Sequence, residues 1–309
     1  MIEAHRQEKT MKTYTPKQAD IMMLIVAFVW GSGFVATKST LDSLSPMQIM
    51  SYRFIVASIM ALIFFRKRLK TIDKKYIKAG VIMGIFLSTG YIFQTYGIQF
   101  TTAGNNAFIT STGVVMVPFI YWLTIKQPPK KNNLIAAFMM LVGVSLLTVD
   151  FSELGTFNIG DGLTLLGAFF FACHIVATSY LVQDKDPIIL NMVQMFFCAL
   201  FFTSTLLIDP QIQPITVSGL SGTIYLGLFS TFLCFSLQTT AQKFTGATHA
   251  AIILSLEAVF GSLLAIWLLS EGYNSIMIVG FVVIFFSVLM AEIGDRLFER
   301  RDVQLKRSN

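Results

Sequence analysis

The chain has 309 residues, of which 54% are hydrophobic and only 13% charged, and its mean hydropathy is +0.68. A soluble chain carries about 25% charged residues, so soluble enzymes and soluble nucleic-acid-binding domains are excluded. The net charge of +6 needs a different explanation.

In chain order there are ten apolar blocks, where roughly 20 residues at a rise of about 1.5 Å each cross a hydrocarbon core of about 30 Å and the fifth block is the shortest. They are Ile21–Ser39, Met47–Phe65, Ile77–Ile98, Ala103–Ile125, Leu134–Val149, Gly162–Val182, Ile188–Ile208, Gly219–Gln238, Ala247–Leu269 and Ser275–Ile293. This predicts an all-α membrane protein with a tail at 1–20, a first five-helix unit at 21–149, a connector at 150–160, a second unit at 161–293 and a tail at 294–309. The polar stretch before Ile21 does not read as a cleavable leader, so the first block is expected to stay as an anchor. Every basic residue except Lys38 and Arg53 falls in the two tails or in loops that share their side of the membrane. That distribution predicts a multi-pass cell-membrane protein with both termini in the cytoplasm.

The two units are related. At an offset of 141, Leu24, Ala27, Phe28 and Val35-Ala36-Thr37 match Leu165, Ala168, Phe169 and Val176-Ala177-Thr178, and Ser45-Pro46 aligns with Asp186-Pro187, each a helix start. At an offset of 144, Gln94-Thr95, Phe100-Thr101, Ala103, Ala107, Ile109, Ser111 and Val115 match Gln238-Thr239, Phe244-Thr245, Ala247, Ala251, Ile253, Ser255 and Val259. Five spans is an odd number, so the second copy enters the membrane from the opposite side. Inverted repeats of this kind are a transporter architecture that binds substrate near mid-depth between the halves.

Particular strings strengthen this reading. The first span holds Trp30-Gly31-Ser32-Gly33-Phe34-Val35-Ala36-Thr37-Lys38, followed by Ser45-Pro46 and Arg53-Phe54. The fourth holds Asn106-Ala107-Phe108-Ile109-Thr110 and Val114-Val115-Met116-Val117-Pro118. The ninth holds Ser255-Leu256-Glu257-Ala258-Val259-Phe260 and ends at Ser270-Glu271. In order and spacing these resemble the EamA-like branch of the drug/metabolite transporter superfamily over nearly the whole chain. The resemblance implies ten helices around a central cavity that opens alternately to either side, and export of amino acids or other small metabolites. Import or exchange of sugars and other metabolites is the alternative within the superfamily. The chain departs from the family pattern at Ala258, where a proline is usual, and at Gln127, where a glutamate is usual.

Several polar residues are candidates for the work. Glu257 lies about 15 Å deep, where an acid costs roughly 2.5–3.5 kcal/mol and is expected to face a cavity as a substrate-amine or proton site. His174 lies roughly 18 Å deep and is a candidate partner for it. Their repeat mates are Gly113 and Gly33. Trp30, about 14 Å deep, is a candidate for stacking on substrate. The pairs Gln94/Gln238 and Asn105/His249 occupy equivalent positions and suit either the two gates or polar contacts that hold helices together. Pro118, with Gly113 nearby, is a candidate helix break. Arg53, about 9 Å from a helix end, reads as an anchor that snorkels to the interface, and Lys38 as an interfacial residue. Cys173, Cys198 and Cys234 have no metal-ligand or disulfide spacing, and no catalytic or phosphate-binding motif is present. The expectation is therefore no enzyme, no cofactor and no metal. The partners expected are a small-molecule substrate and the bilayer, with a homodimer allowed for and nucleic acid excluded.

Overall fold

The computed structural model describes residues 13–126, 128–148, 158–206, 212–269 and 275–308. Among these residues there is no strand. Eight helices are long and apolar enough to span a membrane, and Lys131–Leu146 and Ser275–Ala291 are shorter apolar helices, so each of the ten expected spans corresponds to helix among the described residues.

The first repeat comprises α1 (Pro16–Leu41), α2 (Pro46–Phe65), α3 (Lys74–Phe100), the pair α4 (Ala103–Ser111) and α5 (Gly113–Ile125), and α6 (Lys131–Thr148). A 3-10 helix, Arg66–Thr71, links α2 to α3. The second repeat comprises α7 (Ile159–Leu181), α8 (Pro187–Leu206), α9 (Val217–Tyr225), a π-helical segment (Leu226–Leu233), α10 (Cys234–Ala241), the pair α11 (Ala247–Leu254) and α12 (Glu257–Leu269), and α13 (Ser275–Ser308). Three helices enter segments expected to lie outside the five-helix units: α1 begins at Pro16 in the expected N-terminal tail, α7 at Ile159 in the expected connector, and α13 continues through the expected C-terminal tail. The predicted Gln127 and Glu271 positions lie outside the described residues.

Local chemistry sets the helix starts. Thr15 and Ser45 each form a capping box with a glutamine three residues on and precede a proline at the first helical turn. Asp186 does comparable work before Pro187, accepting from the Ile188 backbone N–H at 2.9 Å.

The repeats interlock rather than sit side by side. Equivalent helices pack like with like, α2 on α8 and α6 on α13, while α3 crosses onto α7 and the α9–α10 arm crosses onto α1. Large side chains on the outside, among them Leu123, Leu200 and Trp267, are exposed because this surface faces lipid.

Both repeats break one helix at the same place. The α4/α5 break falls at Thr112 and the α11/α12 break at Ser255–Leu256, positions related by the offset of 144. Pro118 does not set this break. It lies inside α5, and its repeat mate Ser262 is no proline although the second copy breaks equally. Each break carries a serine bonded back along its helix: Ser111 donates to the Ala107 carbonyl at 3.0 Å and Ser255 to the Ala251 carbonyl at 2.8 Å. Small residues let a neighbouring helix cross each break. Gly31 of α1 crosses at Glu257, while Ala168 and Ala172 of α7 cross at Gly113.

Candidate functional site: a cavity between the repeats

The two arms that cross between repeats leave a cavity of about 90 Å³ at the level of the helix breaks. Helical periodicity places Trp30, Gly33 and Phe34 of α1 on its wall, and the same periodicity in α7 places their repeat mates Phe171, His174 and Ile175 there. Tyr91 and Gln94 from α3 are matched in the same way by Phe235 and Gln238 from α10. The broken helices contribute Gly113 and its mate Glu257. Of the residues singled out from sequence, Trp30, Glu257, His174, Gln94, Gln238 and Gly113 meet at this cavity. Pro118, Asn105 and His249 do not line it.

The two glutamines differ in one decisive way. Gln94 donates to Thr110 Oγ1 at 3.0 Å. The repeat mate of Thr110 is Leu254, which offers nothing, so both amide atoms of buried Gln238 have no partner among the described residues. A buried unpaired amide costs about 1–3 kcal/mol. The Glu257 carboxyl, on a residue only 8% exposed, likewise accepts no hydrogen bond among the described residues. Buried polar groups are ordinarily satisfied, so the cavity wall presents acceptors and donors that await a ligand or water. His174 is different. Its Nε2 lies 3.0 Å from Gln194 Oε1 and 3.4 Å from Thr178 Oγ1, and its ring stands edge-on to Phe235. No hydrogen bond joins His174 to Glu257, for which it was a candidate partner. Trp30 donates its indole N–H to the Ser230 carbonyl at 2.9 Å and packs on Phe235. This leaves the indole half-buried on the wall.

Arg53 corrects the sequence reading. It does not snorkel: it is 3% exposed and turns into the cavity. Its Nε donates to Thr231 Oγ1 at 2.9 Å, and Nη2 donates to Tyr91 Oη at 3.2 Å and to Ser230 Oγ at 3.3 Å. Its guanidinium carbon lies 4.4 Å from the Tyr91 ring centre. Distance along the helix made the outer interface look reachable, but α2 packs this face on the π-helical segment and not on lipid. A signal was present: the repeat mate of Arg53 is Gln194, also polar, also buried and also within the bundle.

The cavity is not symmetric about mid-depth. It extends to Thr37, Thr95 and Ile98, but the mates of these residues, Thr178, Thr239 and Gln242, do not line it. At that second end Gln242 Nε2 donates to the Ile175 carbonyl and to Ser179 Oγ, both at 3.0 Å. Beyond it His249 Nε2 lies 3.1 Å from Asp20 Oδ1, and Arg68 pairs with Asp186. At the first end Lys38 is more than interfacial, since its ammonium donates to the carbonyls of Ile98 and Thr101 at 2.7 and 2.9 Å. Lys38 and Ile98 are the repeat mates of Ser179 and Gln242, so both ends use one latch position with different chemistry. Among the described residues no three His, Cys, Asp or Glu side chains come together as metal ligands.

Comparison with known proteins agrees with this architecture. A sequence model of the EamA-like transporter family matches residues 17–149 and 158–292, one copy on each repeat. An uncharacterized transporter of Archaeoglobus fulgidus is 34% identical over 275 residues, covering 89% of this chain and 86% of its own. The uncharacterized transporter YwfM of Bacillus subtilis is 23% identical over 292 residues, covering 89% and 94%. One crystal structure superposes with a TM-score of 0.74 at 14% identity, over 92% of this chain and 99% of the other, and shows the shared fold. Two copies of a five-helix unit, inverted around one cavity, make the protein a multi-pass membrane transporter, and the chain belongs to the EamA-like transporter family of the drug/metabolite transporter superfamily.

Proposed function

We propose that the protein is a secondary transporter that exports amino acids or related small metabolites across the cell membrane by alternating access, with both termini in the cytoplasm. The observation that carries this reading is that the unpartnered Glu257 carboxyl and the unpartnered Gln238 amide both belong to the wall of one cavity between inverted repeats. An ammonium group satisfies a carboxyl and an amide oxygen together. The cavity volume equals the space of several waters, which suits a compact metabolite and not an oligosaccharide. The basic loops lie at the Gln242 end, so in this reading the structure is a conformer closed toward the cytoplasm.

Flux of labelled amino acids in proteoliposomes, with and without a proton gradient, tests the proposal. A charge-assisted hydrogen bond contributes about 1.5–3 kcal/mol, so Glu257→Gln is expected to lower flux at subsaturating substrate roughly 10- to 100-fold with the melting temperature retained. Wild-type flux in Glu257→Ala, Trp30→Ala and His174→Ala alike would refute the cavity as the transport site.

A further inference from the structure

We propose that Arg53 is the carboxylate-binding residue of the cavity, so that the preferred substrate is a zwitterion held between Arg53 and the Glu257–Gln238 wall. This rests on the reading of the cavity as a substrate site. A guanidinium has five N–H donors and no acceptor. Three are committed to neutral hydroxyls, those of Thr231, Tyr91 and Ser230, and Nη1 makes no hydrogen bond among the described residues. No carboxylate stands within ion-pair distance of Arg53 among the described residues. A buried cation inside a bilayer ordinarily has a counter-ion, because an uncompensated buried charge is costly. Here the charge and two donors are left for something that enters the cavity.

The guanidinium is also held in place. The π-helical segment presents Ser230 and Thr231 side by side, and the Thr231 hydroxyl spends its own proton on the Leu226 carbonyl at 2.8 Å, so its oxygen can only accept from Arg53. The Tyr91 ring supports the flat face of the fork. Such π-helical segments often accompany functional sites. Both uncommitted donors sit on Nη1, so a carboxylate entering the cavity would accept charge-assisted hydrogen bonds from that one nitrogen. No ion pair joins Arg53 to Glu257 among the described residues, so the two poles remain available to one ligand at once. Repeat symmetry places neither charge, since their mates are Gln194 and Gly113. The cavity is therefore polarised in the way a zwitterion requires.

Binding is read without transport by leaving Trp30 as the sole tryptophan, replacing the lipid-facing Trp122 and Trp267 with phenylalanine. The twenty amino acids are titrated by fluorescence, and the tightest is compared with its N-acetyl derivative and its decarboxylated amine. Arg53→Gln is expected to weaken the amino acid and the N-acetyl derivative by about tenfold or more, with the amine changed less than about twofold. Glu257→Gln is expected to weaken the amino acid and the amine and to spare the N-acetyl derivative. If Arg53→Gln does not fold, Tyr91→Phe, which removes one support of the fork, is expected to weaken the two carboxylate ligands and spare the amine. Equal weakening of all three ligands, unchanged affinity for the carboxylates, or no binding of any amino acid to the parent protein would overturn the proposal. Pole-specific binding without flux in liposomes would keep the role of Arg53 and refute export. Normal amino-acid flux and KM in Arg53→Gln would keep export and refute the role of Arg53.

Discussion

Replacing Gly31 with alanine is expected to destabilise the protein by about 1–3 kcal/mol, the usual cost of overpacking, and to abolish flux. A Cβ at Gly31 would stand 2.7 Å from the Glu257 carbonyl oxygen and 2.7 Å from the Gly261 nitrogen. Both are backbone atoms of α12, so no side-chain rotation relieves the clash and α1 must move away from the helix break. That movement displaces Glu257, which lines the cavity. Gly246→Ala is the control, because a Cβ there meets nothing within 4 Å, and its melting temperature is expected to stay close to that of the parent. Thermal melting in detergent compares the two. Equal melting curves for Gly31→Ala and the parent would mean that α1 does not cross α12 as closely as described.

Gln242→Ile is expected to unlock the second end of the cavity. The substitution copies the side chain of its repeat mate, Ile98, and removes both hydrogen bonds that Gln242 Nε2 donates to α7, to the Ile175 carbonyl and to Ser179 Oγ. Each hydrogen bond contributes about 0.5–1.5 kcal/mol, so their loss shifts the balance between the two end-open conformers by roughly 5- to 150-fold. The measurement is the rate at which a membrane-impermeant thiol reagent modifies a cysteine at position 178, on the buried mate of cavity-lining Thr37. Labelling from the cytoplasmic side is expected to accelerate by about tenfold or more. An unchanged rate would show that Gln242 is not the latch.

The ten spans and their duplication were legible because both depend on composition and on polar identities at two fixed offsets, which survive any error in helix ends. Glu257 was legible for a similar reason: an acid at mid-depth has few alternatives to a cavity. Gly113 marked one helix break, but its partner at Ser255–Leu256 carries neither glycine nor proline, only a serine bonded back along its helix. Pro118 drew attention six residues past the break because proline is the usual breaker. Arg53 was misjudged because distance along a helix says how far a side chain could reach and not which way its face is turned. Packing of α2 on the π-helical segment decides that, and no periodicity announces a π segment inside an apolar run. Comparison of each charged residue with its repeat mate would have paired Arg53 with buried Gln194. The Asp20–His249 contact was half visible: His249 stood out as a gate residue, while Asp20 sat at the polar edge of the first span.

Alternating access between inverted repeats is the central claim, and Thr37 and Thr178 report on it as a matched pair at equivalent positions of α1 and α7. In protein with Cys173, Cys198 and Cys234 replaced, single cysteines at 37 and 178 are labelled from each side of sealed vesicles with an impermeant maleimide. The account predicts that position 37 reacts only from the outer side and position 178 only from the cytoplasmic side. It also predicts that Gln242→Ile slows the first reaction as it speeds the second. Simultaneous rapid labelling of both positions, with no reciprocal response to Gln242→Ile, would describe a continuous pore and contradict the account.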